Sequence, residues 1–206
     1  MLGQNFNDLG SYIDFLDKIG DLKRISTEVD PELEISEISS KTIEDNGPAL
    51  LFENVKGSSF PVATNLFGSE ERLRLSLGCN PKELGEEILC FAEKAMPPKL
   101  DNLFKSFPFI KRLTNFRSKE QAFNSPCQQI QDEITLEDLP IIKCWPEDGG
   151  KFITMGLTIT ESPISKKPNM GMYRLQMHDK ERLGMHWHPH KGGATHYHEA
   201  RQLGQD

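Results

Sequence analysis

An α+β fold is what this 206-residue sequence predicts, and three observations predict it. Helix-period and strand-like apolar segments alternate over residues 1–95. From residue 152 onward the helical period gives way to β-branched and alternating runs separated by turn signals. Between the two textures, Pro97-Pro98 opens a stretch rich in Lys and Phe with no clear period. The expected division is an N-terminal α/β domain over 1–98, an irregular linker over 99–130 and a β-rich second domain over 131–206.

Taken in order, Leu9, Tyr12, Ile13 and Leu16 fall at helical spacing and predict a helix over 7–19, with Asn7 or Asp8 as its cap and Gly20 as its stop. Leu22–Ile25 reads as a short strand. Asp30-Pro31 combines an acceptor side chain with a proline suited to a first helical turn, so a helix is expected from there through Ile35 and Ile38 to about Glu44. Ala49–Glu53 and Val62–Asn65 are apolar runs without helical period and read as strands. Ser69 and Asn80-Pro81 open two more helices. Thr135 and Asp138 have capping-box spacing, but Pro140 restricts any helix there to one turn. Phe152–Thr160, Met170–Met177 and Met185–His190 are strand candidates joined by turns at Ser162-Pro163, Lys167-Pro168 and His178-Asp179, which suggests an antiparallel or barrel-like sheet.

Hydrophobic residues are 36% and charged residues 27%, a globular composition. A net charge of −7 argues against nucleic acid or an anionic membrane as the main partner. No apolar run approaches the roughly 20 residues of a membrane span, and the N-terminus has no basic-then-apolar signal pattern. Cys79, Cys90, Cys127 and Cys144 lack CxxC spacing. Free thiols and a cytoplasmic location are the expectation.

All six histidines, His178, His186, His188, His190, His196 and His198, lie within residues 162–201. On a regular strand His186, His188 and His190 would share one face. That spacing suits a metal or phosphate surface, and equally a solvated face that binds nothing. No Cys or carboxylate completes a zinc pattern around them. Asn169 and Arg174, five apart, would face opposite sides of a strand unless a bulge intervenes, and Gly171 allows a bulge or a close backbone approach. Arg174 suits a surface ion pair as well as an anion site. Lys191-Gly192-Gly193 suits a phosphate-contacting turn or a plain tight turn.

The segments GLTIT (156–160), NMGMYR (169–174) and MHWHPHKGGA (185–194) together resemble the UbiD family of decarboxylases, which includes the 3-polyprenyl-4-hydroxybenzoate carboxy-lyases of ubiquinone biosynthesis. NDLGSYIDFLDKIGDLKRI near the start and ITLEDLPIIKCWPEDGGKFIT at 134–154 extend the resemblance over essentially the whole chain. It implies a prenylated-FMN-binding domain like the split barrel of flavin reductases, begun within 131–206 and preceded by an α/β domain. It implies a divalent metal, commonly Mn²⁺, at the cofactor phosphate, with K⁺ often present. By resemblance Asn169 and His190 are metal ligands. Met172, Tyr173, Arg174, His186, Trp187, His188, Lys191 and Gly192 contact the cofactor, and Arg174 is catalytic, orienting acids and the substrate carboxylate. His186, His188 and Lys191 stand where the ubiquinone-pathway members carry Arg, Leu and Arg; His186 and Lys191 trade a permanent cation for a titratable or more strongly hydrated one, so weaker or pH-sensitive phosphate contact is the expectation.

The implied reaction is non-oxidative decarboxylation of an aromatic or α,β-unsaturated carboxylic acid, such as 3-polyprenyl-4-hydroxybenzoate. The family's catalytic glutamates and remaining metal carboxylate lie further along than residue 206, so the expectation is an N-terminal portion inactive alone, homo-oligomeric in full-length form. The alternative is a flavin-phosphate or metal-binding module, or a structural one, completed by a separate C-terminal chain.

Overall fold

The computed structural model describes residues 6–95, 125, 129, 133–186 and 188–205. The expected linker at 99–130, apart from Ser125 and Gln129, lies outside the described residues, as do Cys127 and Trp187. The chain divides into two compact units, one of Met1–Lys18 with Phe67–Glu133 and one of Ile19–Leu66 with Ile134–Asp206. Helices and strands occur in both halves of the sequence, an α+β fold. Among the described residues no helix is long and apolar enough to cross a membrane. Cys79, Cys90 and Cys144 are free thiols.

The first unit contains α1 (Leu9–Lys18), α3 (Glu70–Leu77) and α4 (Pro81–Ala95). Asp8 caps α1 by accepting the Ser11 amide at 2.7 Å. Ser69 caps α3 by accepting the Arg72 amide at 3.1 Å, and Gly78 closes that helix in the left-handed conformation at φ 66°. Buried Tyr12 ties α1 to α3 by donating its hydroxyl to the Arg72 carbonyl at 2.9 Å, while its ring stacks on Phe67.

The second unit holds two sheets. In the first, β1 (Leu22–Ile25) pairs in parallel with β2 (Ala49–Phe52), and β2 pairs antiparallel with β3 (Val62–Thr64). α2 (Glu34–Glu44) makes the parallel crossover, as a βαβ unit requires. Every residue of β2 is buried, and Leu50 and Phe52 pack with Val29, Ile35 and Val55 into the core. α2 starts later than Asp30-Pro31 suggests. Asp30 instead forms a turn, accepting the Glu32 amide at 2.9 Å, and Leu33 at φ 70° interrupts the backbone before the helix begins.

The second sheet joins β4 (Phe152–Glu161), β5 (Pro168–Met177) and β6 (Leu183–Met185) as an antiparallel meander. Its register slips between Ile153 and Gly156, so the irregularity lies in β4 rather than at Gly171 of β5. Gly171 serves close approach instead, because a Cβ there would stand 2.6 Å from the Tyr173 ring. β6 ends at Met185, so the strand expected over 185–190 does not form and His186, His188 and His190 do not share a strand face. Pro189 has no N–H for a ladder, which disfavours strand continuation. Residues 192–202, read from sequence only as a turn at their start, form α5 (Gly192–Gln202).

Candidate functional site

The two faces of β5 separate the predicted site residues. Asn169, Gly171 and Tyr173 alternate onto the side covered by α5, whereas Met170 and Met172 point to an exposed side. With β5 regular, Asn169 and Arg174 occupy opposite faces, as their odd spacing predicts.

On the covered side, polar contacts seat α5. The Gly193 amide donates to the Tyr173 hydroxyl at 2.9 Å in a buried bond. Thr160 Oγ1 lies 2.9 Å from His196 Nδ1, and buried Ser162 donates to a Glu199 carboxylate oxygen. Gly193, His196 and Glu199 follow helical spacing, so this stripe of α5 meets the sheet through polar groups. Asn169 sits against the first turn, where a Cβ at Gly192 would collide with Asn169 Oδ1. Glycine here lets the carboxamide lie against the helix start, and a Cβ would force the amide to move. Lys191 is the N-cap residue in extended conformation, and its own amide donates to the His188 carbonyl at 2.9 Å. A helix start concentrates amide N–H groups and a positive dipole end, which favour an anion.

On the other side, Arg174 forms a bidentate pair with Asp148, Nη1 to Oδ1 at 3.1 Å and Nη2 to Oδ2 at 2.7 Å. Its guanidinium lies over the Phe152 ring at 3.8 Å. The guanidinium holds the Asp148 carboxyl below the usual carboxylate range, chiefly through these hydrogen bonds. The same bonds raise the pKa of Arg174 further, so the pair is ionised at neutral pH. A guanidinium carries five N–H donors, so one carboxylate does not exhaust it. Arg174 also lines an open pocket of about 470 Å³ with Phe152, Gln176, His178, Met185 and His186. The His186 amide lies 3.4 Å from the Arg174 carbonyl.

The structure therefore gathers Asn169, Tyr173, Lys191 and Gly192 on one side, and Arg174 with His186 on the other. Met172 is exposed on the Arg174 side, and His188 and His190 are exposed beyond β6. No hydrogen bond links His190 to Asn169. Among the described residues no group of three or more His, Cys, Asp or Glu side chains is placed to hold a metal. The donor set fits a divalent cation only as one amide oxygen and one imidazole, with the remaining oxygens supplied by a bound phosphate or further groups. The phosphate side of that requirement fits better, given the Gly192-Gly193 start of α5.

Thr160, His196 and Asp148 are partners that the sequence motifs do not name. Thr160 lay within GLTIT and could have been flagged by that segment. Asp148 lies within the 134–154 segment and His196 within the histidine-rich window, but neither pattern names a partner, because Arg174 and Thr160 lie 26 and 36 residues away.

In the second unit an antiparallel sheet thus carries a glycine-led helix on one face. The N-terminal domain of 3-octaprenyl-4-hydroxybenzoate carboxy-lyase matches residues 13–91, and its Rift-related domain matches residues 118–206. The chain belongs to the UbiD family. Among solved structures, it is similar to an evolved dimeric form of the UbiD-class enzyme HmfF from Pelotomaculum thermopropionicum in complex with prFMN, at 26% identity and a TM-score of 0.74, covering 97% of this chain and 42% of that one. It shares its fold with the closed form of vanillic acid decarboxylase from Sedimentibacter hydroxybenzoicus, at 24% identity and a TM-score of 0.76, covering 98% and 42%. A 3,4-dihydroxybenzoic acid decarboxylase from Enterobacter cloacae also shares it, at 22% identity and a TM-score of 0.73, covering 98% and 41%. The chain thus spans about two fifths of the length of these relatives.

Proposed function

We propose that this chain supplies the cofactor-phosphate and metal side of a UbiD-type carboxy-lyase that decarboxylates an aromatic or α,β-unsaturated carboxylic acid with prenylated FMN. The observation that carries the reading is the Asn169 carboxamide oxygen set against the first turn of α5, where a Cβ at Gly192 would displace it. The prenylated-FMN-bound relative, at 26% identity over nearly the whole of this chain, supports it. In this reading residues 131–206 begin the split-barrel domain, 1–98 form the domain before it and 99–130 link them.

Lys191 and the α5 amides would receive the phosphate, and Asn169 with His190 would hold Mn²⁺ beside it. Met172, His186, Trp187 and His188 would flank the flavin. Tyr173 would act through its hydrogen bond to Gly193, fixing the helix start. When bound, the modified flavin supplies the electron sink for loss of carbon dioxide. Arg174 orients the substrate carboxylate through N–H groups that Asp148 leaves available, a pairing suited to planar guanidinium geometry.

A second reading, a flavin-phosphate or metal-binding module completed by a separate chain, draws support from the exposed apolar side of the second sheet. Met155, Leu157, Ile159, Met170 and Met172 are all more than half exposed there. Titration of the chain with FMN, with and without Mn²⁺, tests the shared claim by flavin fluorescence. Metal-enhanced binding is expected, and no binding under either condition would overturn the assigned site.

A further inference from the structure

We propose that Thr160 and His196 are positioning residues that fix the Asn169 carboxamide with its oxygen toward the first turn of α5, presenting a preset oxygen donor to a divalent cation. This rests on the site reading above and adds two residues to it. Thr160 and Asn169 are direct cross-strand partners in the β4–β5 ladder, so their side chains emerge on the same face as neighbours. His196 lies four residues beyond Gly192 on α5, one turn further along the same helix face. Three elements therefore converge on one hydrogen-bonded chain. Asn169 Nδ2 lies 3.4 Å from Thr160 Oγ1, and Thr160 Oγ1 lies 2.9 Å from His196 Nδ1.

The direction of that chain decides which end of the amide faces the helix. A carboxamide offers N–H donors at one end and an acceptor at the other, and its neighbours select the orientation. With Asn169 donating to Thr160, the threonine hydroxyl donates its own hydrogen bond to His196 Nδ1, which accepts it in the tautomer protonated at Nε2. The reverse arrangement would turn amide N–H groups toward the N–H groups and positive dipole end of α5, which is electrostatically unfavourable. Both ends of Asn169 thus specify the same orientation. His196 completes the chain from α5 itself, so the bond that orients the donor also holds the helix start on the sheet.

The test is Mn²⁺ binding by the whole chain in the presence of FMN, followed by the electron paramagnetic resonance signal of free Mn²⁺, with FMN binding in metal-free buffer measured alongside. Thr160→Val, which removes the hydroxyl and keeps the shape, is expected to weaken Mn²⁺ binding about 10- to 100-fold, the usual cost of losing an outer partner of a ligand. Metal-free FMN binding should fall far less than Mn²⁺ binding, a split that a general packing defect would not give. Thr160→Ser should restore Mn²⁺ binding, and His196→Ala should reproduce the loss in a variant that leaves the strand intact. If the wild type binds Mn²⁺ with FMN and both Thr160→Val and His196→Ala match it, the positioning role is wrong while the site reading survives. If the wild type binds neither, the site reading itself fails, and the positioning role with it.

Discussion

In the first sheet all of β2 is buried and the neighbouring helix contributes Ile35 to a continuous apolar core. In the second sheet the helix-covered side is held by Tyr173–Gly193, Thr160–His196 and Ser162–Glu199 hydrogen bonds, while the opposite side exposes Leu157, Ile159, Met170 and Met172. Each polar bond contributes only about 1 kcal/mol net, against several for a large buried side chain. The first sheet therefore anchors the unit. The second places amide, hydroxyl, imidazole and guanidinium groups where a ligand can meet them.

Phe52→Ala should break this contrast most severely, costing about 3–5 kcal/mol by urea unfolding because the fully buried ring has no exposed surface to relax into. Gly192→Ala comes next. A helix interior gains up to about 1 kcal/mol from Gly to Ala, but the new methyl collides with Asn169, and overpacking costs about 1–3 kcal/mol. A net loss of stability, with weakened FMN binding, is the expected outcome of paired unfolding and titration measurements.

Asp148→Asn probes the guanidinium side of the second sheet through pH. Asp148 has a folded-state pKa below its ordinary value of 3.8. Its pairing with Arg174 therefore contributes fully above about pH 4, and that contribution is lost as pH falls through the lower folded value. The acid limb of the wild-type stability profile should flatten in the variant, as followed by circular dichroism at stepped pH. Smallest of all, Leu157→Ser on the bare side should change unfolding free energy by less than about 0.5 kcal/mol, since the side chain is already mostly in water.

The same contrast explains what was legible in the sequence. β1, β2, β3, α1, α3 and α4 announced themselves through apolar period and capping residues, and β4 and β5 through β-branched or alternating runs. α5 did not, because the stripe it turns to the sheet is Gly193, His196 and Glu199, which carries no hydrophobic signal. The start of α2 was misplaced because Asp30-Pro31 suits a turn as well as a helix, and only the backbone at Leu33 decides between them. Asn169 and Arg174 were named through the NMGMYR segment. Their immediate partners, Thr160 and Asp148, lie on other segments, and only the folded register brings Thr160 opposite Asn169.

Whether the ligand meets the start of α5 is read by amide chemical-shift mapping of the chain by two-dimensional NMR on addition of FMN with diamagnetic Mg²⁺. The largest shifts should fall at Thr160, Asn169, Lys191 to Ala194 and His196, with the β1–β2–β3 core unmoved. Shifts confined to the first sheet, or none at the start of α5, would contradict the assigned site.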